Sequence, residues 1–466
     1  MHRLSIISQN SRTLRHQHQQ QREFVPFLLS AAVGALIGSY CERAFRASTE
    51  GASVTKSTDN GPTRSFGIDL GSSFSRIAIK EANGVSPFVI ENREGKRLTS
   101  SVVYFPHGIN VADQSYNGTD DDSFIVGTTA NKSRYIDPEK TICASSLLSK
   151  SLSTPAKSLG EVQKSFFYFL LAKDLKIAAS SRSEDEASLP TFVSVPNHFT
   201  SAQSSLLLSA CKDAGFNCVA SLPDGVSAVL GAIATALYAP PTVHHDTVVV
   251  VDVGGGLVQL SLVLVKSVPT SIPIILSQRT LLDSGGNFFD DAIVDHLILE
   301  FNKSNSGIDI SADKRARQRL YDAAEAAKVE LSTAYTSNVI IPFLTADHTG
   351  PKHLECVISR SQLSTILDNH LKNINDAIFE IIDDGKNQFK GTDISSHTTS
   401  SDAIPENTKQ DLKFNLAAVI LVGGGARMSL VRSSIQNVIG SVPLLVSQQP
   451  EEIVSIGAAV LTVSRK

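Results

Sequence analysis

Two aspartates, each closing an apolar run and followed at once by a glycine turn, are the residues in this sequence best placed to do chemistry. Asp69 stands in FGIDLGSS (Phe66 to Ser73) and Asp252 in VVVVDVGGGLVQ (Val248 to Gln259). A carboxylate at a strand end can hold a metal through its waters, while bare glycine amides in the adjoining turn approach phosphate oxygens. A third turn, VILVGGGAR (Val419 to Arg427), leads into a helical stretch whose first amides can reach a sugar or a phosphate. The three outline a split phosphate site in which the first two turns are facing hairpin tips, unlike the single strand, loop and helix of a P-loop. Leu257 and Gln259, in the second turn, favour binding a nucleotide over cleaving it.

Strand and helix signals around these turns show what must position them. Ser65 to Lys80 reads as a strand-turn-strand hairpin, and Thr247 to Val253 with Leu260 to Val265 as a second one. Thr191 to Val195 is a strand followed by a helix over Ser201 to Ala214, with Thr200 as N-cap and Gly215 as its stop. Further helices are expected over Val162 to Ala179, Gly225 to Tyr238, Asn287 to Phe301, Ala312 to Thr333, Met428 to Val438 and Pro450 to Val463, with a strand at Val339 to Leu344. His244 and His245 read as loop residues.

The 466 residues, 42% hydrophobic with a net charge of −4, suffice for a large core in two or three lobes. A nucleic-acid backbone would call for a strongly basic face, so no nucleic-acid partner is expected. The five cysteines, Cys41, Cys143, Cys211, Cys218 and Cys356, show no metal or redox spacing; Cys211 and Cys218 read as buried thiols. Residues 1–23 form a basic leader, with no acidic residue from Met1 to Arg22. Residues 24–41, with the uncharged run Phe24 to Tyr40, form a candidate transmembrane or signal segment. Basic residues before it orient the folded part across the membrane. Residues 42–63 read as a flexible linker, and about 394–409 as a surface insertion without fixed structure. Asn117 and Asn131 head glycosylation-type triplets.

With these residues in view, the chain resembles the actin, sugar-kinase and 70-kDa heat-shock superfamily, most closely its heat-shock branch. DLGSSFS, DVGGGLVQ, VGGGAR and PEEIVSIGAAV resemble the two phosphate loops, the adenosine loop and the terminal connecting element. FVSVPNHF, DSGGNFFD and EAAKVELS resemble further segments of that branch. The resemblance implies an α/β actin-like ATPase fold with two lobes, each with a βββαβα-type core, around a central nucleotide cleft. Lobe I would run over 64–245 and lobe II over 246–445, with a C-terminal helix in 446–466 returning to lobe I. It implies ATP or ADP with Mg2+ as cofactors. Asp69 and Asp252 would hold the metal through water and position water for hydrolysis. Gly71, Ser72, Ser73, Gly254, Gly255, Gly256, Gly285 and Gly286 would line the phosphates, with Glu325, Lys328 and Ser332 on one side of the base and Gly423, Gly424 and Arg427 on the other.

The departures from the family pattern bear on activity. The family's threonine and aspartate after the second glycine loop are Leu257 and Gln259; its lysine falls on Asn131, with Lys132 one place off. Its glutamate falls on Pro223, with Asp224 adjacent, and its adenine-stacking arginine on Val329. Lost positioning charges raise a phosphoryl-transfer barrier. The expectation is a membrane-anchored, chaperone-related nucleotide-binding module resembling the short stress-70 ATPase-core proteins. It would have an impaired ATPase, no peptide-binding domain, and partners such as co-chaperones or nucleotide-exchange factors. Its membrane would be that of the endoplasmic reticulum, with a luminal domain, or the mitochondrial inner membrane. An active chaperone ATPase and a nucleotide-free scaffold in a membrane complex are the alternatives.

Overall fold

The structure is a computed structural model. It describes residues 54–56, 64–82, 86–108, 124–134, 136–144, 161–180, 188–242, 245–267, 272–282, 284–305, 308, 310, 313–391 and 414–463. The leader at 1–23, the apolar segment at 24–41, Asn117 and the insertion at about 394–409 lie outside these residues. Among the described residues no helix is long and apolar enough to cross a membrane.

Two mixed sheets are built in the same chain order. In the first, Ser65–Leu70 and Phe74–Lys80 form an antiparallel hairpin extended by Phe88–Val89 and, at its turn end, Thr99–Ser100; on the other side Pro190–Val195 and Asn217–Pro223 add in parallel. In the second, His245–Val253, Leu257–Lys266 and Ile274–Leu282 form an antiparallel meander, and Leu416–Val422 with Leu444–Val446 add in parallel to the first strand. Each meander precedes helices that carry the chain back to a parallel strand, because parallel neighbours need a crossover. This mixed α/β arrangement is consistent with the expected actin-like fold.

Burial follows from patterning. Val248–Val251 of the central strand are wholly enclosed, as a strand covered on both faces requires. Phe66, Ile68, Phe167, Leu171 and Val193 fill the first core. Val249, Val251, Phe289, Leu297, Ile378 and Leu421 fill the second. A third core joins the sheets through the helices Asp224–Ala234 and Ile453–Ala459, which bring Val226 and Ile453 against Phe192, Val250 and Ile420. The two helices touch backbone to backbone: a Cβ on Gly457 would stand 1.7 Å from the Ser227 carbonyl oxygen, so only glycine allows the crossing.

Local signals placed many elements. The helix Ser201–Asp213 starts on Thr200 with a full capping box, Thr200 Oγ1 accepting from the Gln203 amide at 3.3 Å. Several readings are corrected. The C-terminal stretch is not one helix from Pro450 to Val463: the helix covers Ile453–Ala459, and Leu461–Val463 is a strand. That strand pairs antiparallel with Val54–Lys56, inside the stretch read as a flexible linker. His245 opens the central strand of the second sheet instead of lying in a loop. The helix expected over Gly225 to Tyr238 starts at Asp224 and ends at Ala234. The strand Asn217–Pro223, the strand Gly350–Ser359 and the long helix Asp368–Gly391 had no clear sequence signal. Cys211 and Cys218 are buried free thiols, as read.

Candidate functional site

Between the two sheets lies a cleft of about 700 Å³. Its floor is set by the two hairpins. Asp69 is the fifth residue of Ser65–Leu70 and Asp252 the penultimate residue of His245–Val253, so both carboxylates emerge where a strand turns. Asp69, Gly71, Ser72, Ser73, Asp252, Gly254, Gly255, Gly286, Glu325, Lys328, Ser332, Gly423, Gly424 and Arg427 all line this one cavity. Residues more than 350 positions apart are thus brought to one place. Gly256 and Gly285 are not among the lining residues. Gly256 lies at the loop junction, and Gly285, with φ +120°, caps the helix Gly286–Ser304.

The two phosphate-type loops touch directly. The Gly256 amide donates to Ser72 Oγ at 2.9 Å, and Ser73 Oγ donates to Asn287 Oδ1 at 3.2 Å. A Cβ on Gly255 would stand 1.8 Å from Ser73 Oγ, which makes glycine obligatory for this approach. Behind them the amides of Gly286 and Asn287 donate to the carbonyls of Gly254 and Gly255 at 2.9 and 2.8 Å, locking the glycine-glycine turn onto the second hairpin.

Three carboxylates converge, not two. Asp224 lines the cleft beside Asp69 and Asp252, while Pro223 ends the preceding strand. Where the resemblance has a glutamate and this chain Pro223, the adjacent Asp224 brings a carboxylate to the cleft. Burial raises the Asp224 carboxyl well above its ordinary range, and repulsion from Asp69 and Asp252 adds to this. Asp252 is pushed up to about 7 by burial and then by Asp69, while Arg76 opposes the rise. Asp69 is likewise raised by burial, against the pull of Arg76.

Polar neighbours take up part of this charge. Gln259, almost wholly buried, donates through Nε2 to Asp224 Oδ2 at 2.9 Å and accepts from the Asn197 amide at 2.7 Å. Asn197 in turn donates to Ser261 Oγ at 2.6 Å. Leu257 is buried and is one of the residues lining the cleft, at the position where the resemblance has a threonine. Asp224 Oδ1 is buried with no hydrogen-bond partner among the described residues.

On the side of the cleft that the resemblance assigns to the base, several side chains are engaged with neighbouring groups. Lys328 does not project freely: Nζ pairs with Asp290 Oδ2 at 2.7 Å and donates to the Gly286 carbonyl at 3.1 Å. Ser332 Oγ donates back to the Lys328 carbonyl at 3.1 Å. Glu325 is exposed on the same helix face, and Val329, 62% exposed, occupies the place of the stacking arginine. Arg427 is engaged by both oxygens of Glu451, at 2.6 and 3.0 Å. Asn131 lines the cleft and Lys132 is exposed; Arg134, one turn on, also lines the cleft, and the sequence reading missed it. Arg76 and Asn287 were missed too. Arg76 was legible from strand register alone, since it is the cross-strand partner of Asp69.

Residues 169–396 match the family described as Hsp70 protein. Chaperone protein dnaK3 of Thermosynechococcus vestitus is 30% identical over 429 residues, 87% of this chain and 56% of that protein. Heat shock 70 kDa protein 6, chloroplastic, of Arabidopsis thaliana is 28% identical over 420 residues, 84% of this chain and 51% of that protein. The chain belongs to the Hsp70 family. It spans about half the length of the curated Hsp70 relatives it matches.

Hsp70 ATPases in general use ATP or ADP with Mg2+, and the donor set here can be tested against that group. Among the described residues no three His, Cys, Asp or Glu side chains stand close enough together to ligate a metal directly. Three converging carboxylates with one orphaned oxygen do fit a hydrated divalent cation held through water, which would neutralise their mutual repulsion. Asp69, Asp224 and Asp252 are the residues that would hold it.

Proposed function

We propose that this Hsp70-family chain is a nucleotide-dependent binding module that takes ATP or ADP, with Mg2+, in the cleft between its two lobes and hydrolyses ATP poorly. The observation that carries the reading is the Gln259 clamp. Its amide is spent on Asp224 and on the Asn197 backbone, and Leu257 puts a methyl-bearing surface where a hydroxyl beside the terminal phosphate would stand. Binding groups and the two strand-end aspartates are therefore retained, while the threonine hydroxyl and the aspartate of the resemblance are lost at Leu257 and Gln259, and each such loss costs about 3 kcal/mol of barrier.

Bound nucleotide sets the angle between the lobes and so switches affinity for protein partners such as co-chaperones or nucleotide-exchange factors. The run Phe24 to Tyr40 tethers the module to a membrane of the endoplasmic reticulum or the mitochondrion. ATP and ADP affinity and single-turnover hydrolysis of the full-length chain test the proposal. Tight binding with hydrolysis gained only in Leu257→Thr combined with Gln259→Asp supports it. Turnover by the unmodified chain as fast as by that variant, or no nucleotide binding at all, sinks it.

One observation favours a second reading, an active chaperone ATPase. Asp224 supplies to the cleft a carboxylate next to Pro223, the position where the resemblance has a glutamate. Asp224→Asn separates the two: it abolishes turnover in an active enzyme and leaves a poor one unchanged.

A further inference from the structure

Arg76 is used by nothing in that reading, yet it is the most constrained cation in the cleft. It lies on Phe74–Lys80 directly across the hairpin from Asp69, and the two side chains share a face. Nη1 stands 3.1 Å from Asp69 Oδ2 and also donates to the Glu451 carbonyl, while Nη2 donates to the Phe74 carbonyl at 3.0 Å. Two backbone carbonyls from separate elements thus hold the guanidinium, which is about nine-tenths buried, on the carboxylate. Arg76 lines the same cleft as Asp252, and its charge acts on that carboxylate too.

We propose that Arg76 is a resident cation that takes over part of the divalent metal's electrostatic role, so that nucleotide binding here depends only weakly on Mg2+. A planar guanidinium is always charged and presents several donors in a fixed fork, which suits it both to a carboxylate and to phosphate oxygens entering the cleft. It occupies one edge of Asp69, which lowers the charge available to hold a hydrated metal. Asp224 and the rest of Asp252 keep enough negative charge for the metal to bind, at reduced affinity. Arg76 acts here as a positioning residue, and the inference rests on the nucleotide-binding reading above.

The test compares the full-length chain with Arg76→Met, which keeps the length and removes the charge, and Arg76→Lys, which keeps the charge and removes the fork. ATP affinity is measured with saturating Mg2+ and in EDTA. The wild type is expected to lose less than about tenfold in EDTA and Arg76→Met more than about a hundredfold, Arg76→Lys lying between them. Equal ratios in wild type and Arg76→Met overturn the proposal. A second arm needs no nucleotide: Mn2+ binding to the free protein, followed by electron paramagnetic resonance, is expected to tighten at least about tenfold in Arg76→Met. Unchanged Mn2+ affinity overturns the role of Arg76. Absence of ATP binding in all forms overturns the nucleotide reading while the Mn2+ arm still decides Arg76. Melting curves for the three proteins confirm folding, with Arg76→Lys carrying the comparison if Arg76→Met is unfolded.

Discussion

Gln259 Nε2 donates to Asp224 Oδ2 at 2.9 Å across the floor of the cleft, joining a residue of the second hairpin to the first residue of a helix in the core between the two sheets. An amide here does what a carboxylate cannot, because it supplies a donor to a buried acid that two other acids already crowd. Gln259→Asp would remove that donor and add a fourth carboxylate. The variant is expected to be less stable than wild type by about 2 kcal/mol without ligand, and to recover when Mg2+ and ATP are added together. Thermal melting with and without ligand checks this; a variant as stable as wild type in the absence of ligand counts against the clamp.

The raised Asp252 carboxyl has a signed consequence for stability. Its ordinary value of 3.8 moves up to about 7 in the folded chain, so between these limits the folded state holds a proton that the unfolded state has already lost. Stability is therefore expected to fall as pH rises from about 4 to about 7, and then to level off. Asp252→Asn flattens that fall, because the group no longer ionises. Urea denaturation at several pH values reads it, and a wild-type curve that climbs over the same window contradicts the assignment.

Gly255→Ala places a methyl group onto Ser73 Oγ, where the two phosphate-type loops meet. Forcing atoms into such a contact costs about 1–3 kcal/mol and pushes the loops apart. Nucleotide affinity should drop by about tenfold or more while the lobes stay folded. Isothermal titration calorimetry beside circular dichroism distinguishes a local loss from global unfolding.

The Lys328–Asp290 pair, at 2.7 Å and largely buried, stabilises the base side of the cleft. Burial already raises the Asp290 carboxyl to about 6 against the pull of Lys328. Lys328→Met leaves that acid uncompensated, with an expected loss of about 3 kcal/mol. Lys328→Met with Asp290→Leu should regain most of it. A double-mutant cycle in chemical denaturation measures the coupling, and additive losses would show that the pair is inert.

Gly457→Ala tests the joint between the lobes. The added methyl would collide with the Ser227 carbonyl, where the Ile453–Ala459 helix crosses Asp224–Ala234. Since the close contact is backbone and cannot turn aside, the whole helix must move, at a cost of about 3 kcal/mol. Gly440→Ala, at a position with open space around it but φ +62°, should cost less, about 1 kcal/mol. Melting temperatures in that order support the packing described; the reverse order would not.

Much of the fold was legible because local chemistry dictated it. Apolar runs marked Ser65 to Lys80 as a hairpin, Thr191 to Val195 and Thr247 to Val253, and Thr200 marked a helix start. The strand Gly350–Ser359 carries His353 and Glu355, which are exposed, and Lys352, which is half-buried against Asp347, and only pairing with Thr336–Asp347 shows that this polar stretch is a strand. The pairing of Val54–Lys56 with Leu461–Val463 spans nearly the whole chain, and no local pattern encodes such a contact.

By itself the sequence determined the three glycine turns, the two strand-end aspartates, the substitutions Leu257 and Gln259, and through them an Hsp70-type cleft. Those features are short-range, fixed by which residues tolerate a tight turn and which carry charge. Tertiary structure decided the rest of the site. It brought Asp224 up to Asp69 and Asp252, spent Lys328 on Asp290, and set Arg76 on Asp69 under the Glu451 carbonyl. The protonation of a buried acid depends on every charge within a few ångströms, and those neighbours are separated by hundreds of residues along the chain.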